Sequence, residues 1–101
     1  MAGMMCGGTG KQRAADTEVQ EICEKVKAEF VQKSGVNSSV FEAVSYKTQV
    51  VAGTNYFIKA HIGGNKCAHL RVYKRLPHQQ EALSLDSFLL DKTMEEEIVY
   101  F

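Results

Sequence analysis

The chain has 101 residues, 45 % of them hydrophobic and 24 % charged, with 12 Lys+Arg against 12 Asp+Glu. That length suits one domain burying about two-thirds of its extended surface, and the near-average composition excludes wholesale disorder. A zero formal charge argues against nucleic acid and anionic membrane as partners, since both need a basic excess.

A single domain over residues 1–101 is expected, with residues 1–15 a largely flexible N-terminal trunk. Gly3, Gly7, Gly8 and Gly10 impose no backbone preference there, although Met4, Met5 and Cys6 form a short apolar cluster. No basic segment precedes an apolar run, so a signal peptide is not expected. No stretch approaches the roughly 20 apolar residues of a membrane span. Cys6, Cys23 and Cys67 are odd in number and far apart, a poor disulfide framework. These features predict a reduced, cytoplasmic protein, with nuclear presence admissible.

Thr17-Glu18-Val19-Gln20 fits a capping box, in which the Thr17 hydroxyl accepts an amide and Gln20 reaches back. Val19, Ile22, Cys23, Val26 and Phe30 follow at three- and four-residue steps and draw one apolar stripe. Glu29 and Lys33 form a supporting pair, and Gly35 is a suitable stop. One amphipathic helix of four or five turns is expected.

From Val40 the period changes to that of strands. Residues 40–51 are rich in Val, Phe, Tyr and Thr. After Ala52-Gly53, Tyr56, Ile58, Ala60 and Ile62 alternate on one face. Gly63-Gly64-Asn65 is a turn, and Ala68, Leu70, Val72 and Leu76 alternate beyond it. A hairpin turning about Asn65 would pair Ile62 with Ala68, Ala60 with Leu70 and Ile58 with Val72, and on the other face His61 with His69. Pro77 would end that strand. Residues 81–93 lack a clean period and are expected to be irregular, and residues 97–101 read as a last short strand. The fold class expected is α+β: one long helix packed across an antiparallel sheet of four to five strands.

Three kinds of chemistry can be weighed. Cys23 lies on the helix stripe and reads as a small core residue. Cys67, His61 and His69 project from one sheet face, a thiol and two imidazoles of zinc-ligand type, yet that face reads as open, with no fourth ligand, cleft or oxyanion donor. No glycine-rich phosphate cradle occurs. The unusual feature is Gln49-Val50-Val51-Ala52-Gly53, which sets two β-branched apolar residues at or beside a hairpin tip, where polar turn formers are the rule. Leu76-Pro77-His78 ends another strand with similar content, and antiparallel connectivity brings both turns, within reach of the tail, to one end of the sheet.

The run Gln49-Val50-Val51-Ala52-Gly53-Thr54-Asn55-Tyr56-Phe57-Ile58-Lys59 resembles the signature of the cystatins, inhibitors of papain-like cysteine proteases. The likeness extends to Met5-Cys6-Gly7, the single helix, His69-Leu70-Arg71-Val72-Tyr73, Leu76-Pro77-His78 and Tyr100-Phe101. Without signal peptide or disulfides, it is similar to the stefin (type 1) branch. The resemblance implies a cystatin-like curved sheet and a non-enzymatic protein without cofactor. Its function would be reversible, tight-binding, competitive inhibition of papain-like proteases such as cathepsins.

Gly7 matches the trunk glycine of the family, with Gly8 one position on as the other candidate. Gln49, Val50, Val51, Ala52 and Gly53 match the first inhibitory loop, and Leu76, Pro77 and His78 the second. The three segments would form one wedge in the enzyme's cleft. On this reading Gly53→Glu harms binding with limited loss of fold. A monomer is expected, with Cys6 oxidation or domain exchange as routes to a dimer. Two other readings stand beside it: a non-inhibitory interaction module of the same fold, and a thiol- or metal-dependent protein using Cys67 with His61 and His69.

Overall fold

The computed structural model describes residues 11–75 and 83–101. Chain order is β1 (Arg13–Ala14), α1 (Thr17–Ser34), β2 (Glu42–Val51), β3 (Gly53–His61), β4 (Lys66–Lys74) and β5 (Leu83–Thr93). The strands form one antiparallel meander in the order β1-β2-β3-β4-β5. The helix lies across one face, so the architecture is α+β as expected.

The helix buries the five residues of its predicted stripe against Tyr46, Ile58, Ala60, Ala68, Leu70, Val72 and Leu85. It stops at Gly35, which is left-handed at φ 77° and donates its amide to the Val31 carbonyl. Its start differs by one residue from the sequence reading. Asp16, not Thr17, is the cap, and its carboxylate accepts from the Val19 amide at 2.9 Å. Gln20 does not reach back. Its amide oxygen accepts from the Ala43 backbone at 2.8 Å, tying the helix to β2. At the other end Lys33 pairs with Glu29 at 2.8 Å and donates to the Leu85 carbonyl at 3.3 Å, which ties the helix to β5.

The alternation read in β3 and β4 is present, but the hairpin register is two residues away from the one expected. Ile58 faces Leu70, Ala60 faces Ala68, and His61 faces Cys67, because the turn is tighter and closes through Ile62–Lys66 and Lys66–Gly63 backbone bonds. A two-residue shift keeps every side chain on its face, so the core is the same.

Three expectations are corrected. Residues 13–14 of the trunk are not free: Arg13 pairs with Tyr46 and Ala14 with Ser45. Residues 83–93 are a regular ladder partner of β4, not an irregular stretch. Two bulges, each one extra residue in β5, hide the period, one near Asp91 (φ 61°) and one at Asp86. Residues 97–101 are not a strand. They lie over the sheet face away from the helix, where Ile98 is fully buried. There the Phe57 ring meets Tyr100 and Phe101 at 5.4 and 5.6 Å, and Arg71 donates to the Phe101 carbonyl. The face that read as open is therefore covered, and Phe57, Cys67 and His69 beneath it are buried.

Candidate functional site

The turn between β2 and β3 is the first element of the site. Val50 faces Thr54 and Val51 faces Gly53, which leaves Ala52 at the apex. The two valines are 70 % and 44 % exposed, so they are not the end of a buried strand. Exposing two β-branched side chains on a hairpin tip is unfavourable in water and is relieved only when something covers them.

The tip is held, not loose. Gly53 takes φ 126°, a conformation L side chains rarely adopt, and it is buried. A Cβ there would stand 2.6 Å from the Tyr73 hydroxyl and 2.7 Å from the Lys74 carbonyl. This close approach of β3 to β4 lets Tyr73 donate to the Ala52 carbonyl at the apex. It also alters the reading of Gly53→Glu: the added side chain meets the β4 backbone, so the fold suffers along with the loop.

Behind the tip, Gln49 is buried, 4 % exposed. Its amide donates to the Tyr100 hydroxyl at 2.6 Å and accepts from the Asn55 amide at 3.0 Å. Sequence reasoning missed Tyr100 as a neighbour of the loop. Its only signal was a terminal Tyr-Phe, which looked like the end of a strand.

The described residues that flank the other two segments lie at the same end of the sheet. Lys74 pairs with Thr54, next to Gly53, and also with Leu83, so β4 leaves and β5 returns beside the tip. Since β1 runs antiparallel to β2, Lys11 lies toward the tip as well. The sequence-predicted residues Gly7, Gly8, Leu76, Pro77 and His78 lie outside the described residues, whereas Gln49, Val50, Val51, Ala52 and Gly53 lie within them. The base of the tip is also pinned to the helix, because Lys74 pairs with Glu18 at 3.2 Å.

The residues of the thiol or metal reading do not assemble into a site. Cys67 is buried with its thiol 3.2 Å from the Met94 sulfur, and burial raises its pKa, which opposes the nucleophilic thiolate. His61 sits at the opposite turn, its Nε2 2.8 Å from the Gly64 carbonyl. His69 is fully buried with neither ring nitrogen hydrogen-bonded. Burial first, then the ammonium groups of Lys92 and Lys59, pull it down to about 4, and Glu96 opposes them. Cys23, in the core, is pushed up to about 12 by burial and by Glu24. Among the described residues no group of three His, Cys, Asp or Glu side chains could hold a metal ion. No described helix is long and apolar enough to cross a membrane.

Comparison with known proteins gives a consistent picture. The family model described as the cystatin domain matches residues 7–95. Leukocyte cysteine proteinase inhibitor 1 of Sus scrofa is 46 % identical over 98 residues, covering 97 % of this chain and 95 % of that protein. Cystatin-B of Mus musculus is 44 % identical over 98 residues, and Cystatin-B of Homo sapiens 43 % over 98, each covering 97 % of this chain and 100 % of the relative.

Proposed function

The chain belongs to the cystatin family, in its stefin branch, and we propose that it is a reversible, tight-binding, competitive inhibitor of papain-like cysteine proteases. The observation that carries this reading is the held apolar tip: Val50 and Val51 exposed on a turn that Gly53, Tyr73 and Gln49 fix in place. Burying a valine fully in an enzyme cleft contributes about 1.5–3 kcal/mol, and a tip already ordered loses little entropy on docking. A few such anchors in one compact wedge are enough for nanomolar binding, about −12 kcal/mol.

The wedge comprises residues 49–53, flanked by the trunk at Gly7 and Gly8 and by Leu76, Pro77 and His78. The approach of Lys11, Lys74 and Leu83 to the tip end of the sheet supports this grouping. Inhibition is by occlusion. The tip of a tight β-turn covers the reactive thiol without presenting a carbonyl in line with it, so no bond is cut and the protein leaves intact. The protein works in the cytoplasm as a monomer, with cathepsins as its targets. It is a binding protein and not an enzyme, as its relatives' name of proteinase inhibitor suggests.

The test is the mode of inhibition. With papain and a fluorogenic peptide, apparent Ki should rise linearly with substrate concentration and activity should return after dilution. A Ki independent of substrate, or inhibition that dilution does not reverse, would refute occlusion. No inhibition at any concentration would favour the non-inhibitory module.

A further inference from the structure

Within the exposed loop, one side chain is turned inward. Val50 and Val51 stand in solvent, while Gln49, immediately before them, is turned into the protein and 4 % exposed. We propose that Gln49 serves the wedge as a positioning residue: its side chain, turned inward, forms with Asn55 and Tyr100 a strut that holds the valine tip at its working angle. This deepens the inhibitor reading and rests on it.

The geometry of the strut is specific. The Asn55 amide donates to Gln49 Oε1 at 3.0 Å, and Gln49 Nε2 donates onward to the Tyr100 hydroxyl at 2.6 Å. Asn55 is the cross-strand partner of Gln49, so the first bond locks the two arms of the hairpin two residue pairs below the Val51–Gly53 closure. The second bond ties the hairpin to the C-terminal segment. That segment is fixed in turn by Ile98, fully buried, by the Tyr100 and Phe101 rings on Phe57, and by Arg71 on the Phe101 carbonyl. Lys47, two residues earlier on the same strand face, adds an ion pair to Glu97 at 3.2 Å. A side-chain amide buried at this depth is unfavourable unless both its ends are bonded, so Gln49 has one satisfied orientation, and that orientation sets where Val50 emerges. Tyr100 thereby acts on the loop from behind, although its ring is largely in solvent.

A strut acts by raising the fraction of free molecules whose loop is competent to dock, and this appears in the apparent affinity. Three variants separate this from direct contact: Tyr100→Phe, which keeps the ring on Phe57 and removes only the acceptor, Gln49→Met, and the double variant. Association and dissociation rates with papain would be measured for each, together with amide spectra of the free proteins. Losing the Gln49–Tyr100 bond should weaken inhibition about 3- to 10-fold in Tyr100→Phe, and at least as much in Gln49→Met, which also loses the Asn55 bond, mainly through slower association. The double variant should be no worse than the poorer single one, because both remove the same bond. In free Tyr100→Phe the amide signals of Val50 and Val51 should move.

Losses that multiply in the double variant, with loop amides unmoved in the free protein, would overturn the proposal and make the two residues independent enzyme contacts. If Gln49→Met fails to fold, the Tyr100→Phe amide shifts still decide. A parent protein that leaves papain untouched would sink the inhibitor reading, whereas the amide shifts would continue to report the strut.

Discussion

Replacing Gly53 by alanine adds a single methyl carbon at the point where the turn between β2 and β3 depends most on the absence of one. Backbone at φ 126° is strained for any L residue, at about 1–3 kcal/mol. The new carbon would also stand 2.6 Å from the Tyr73 hydroxyl, 2.8 Å from its Cε1 and 2.7 Å from the Lys74 carbonyl. The tyrosine can swing away, at the cost of its bond to Ala52. The carbonyl cannot, since Lys74 is paired on both sides, with Thr54 and Leu83. Overpacking of this kind adds about 1–3 kcal/mol, for a combined loss of roughly 2–6 kcal/mol.

In a domain of this size that lowers the melting temperature by on the order of 10–40 °C. Gly64→Ala is the control. It too has positive φ, 55°, but nothing lies within 4 Å of its added carbon, so about 1 kcal/mol is expected. Thermal melts of the two variants by circular dichroism, followed by papain titrations at a temperature where both are folded, make the test. Gly53→Ala should be the less stable by a clear margin and the weaker inhibitor. Equal melting temperatures would refute the claim that the loop is pressed against β4.

Val50→Asp removes the exposed apolar tip without touching the core, so stability should stay within about 0.5 kcal/mol while inhibition weakens at least about 10-fold; unchanged inhibition would remove Val50 from the wedge. Asp16→Ala should cost about 1 kcal/mol in urea melts and Thr17→Ala clearly less, because Asp16 bears the cap. His69 is neutral and buried in the folded chain, with its pKa drawn from 6.5 to about 4. The unfolded chain takes up that proton first, so stability is full above pH 6.5 and falls as pH drops toward 4, by at most about 1.4 kcal/mol per pH unit. His69→Leu should flatten that part of the pH profile, and an identical slope in the variant would place its origin elsewhere.

The helix stripe and the β3–β4 alternation were legible because both are driven by one-sided burial, which writes its period directly into the residue types. The β5 strand was not, since two bulges each insert a residue and switch Leu83, Leu85, Phe88 and Leu90 out of a simple alternation. Residues 97–101 failed for the opposite reason. Ile98 buried between exposed neighbours looks like a strand, yet its partner is the flank of a sheet and not another ladder. The two residues of β1 carry no apolar signal at all, because backbone pairing holds them, and the side of Arg13 merely stacks on Tyr46 at 5.1 Å. The apolar tip at Val50 and Val51 was visible because it breaks the ordinary chemistry of turns. The strut through Tyr100 joins residues fifty-one apart, which no local pattern records.

Stoichiometric titration of active papain bears on the central claim most directly. With enzyme well above the dissociation constant, residual activity should fall in a straight line to zero near one equivalent, and the inhibitor should be recovered uncut. A curve that stays flat, or a protein cleaved within residues 49–53, would contradict the account.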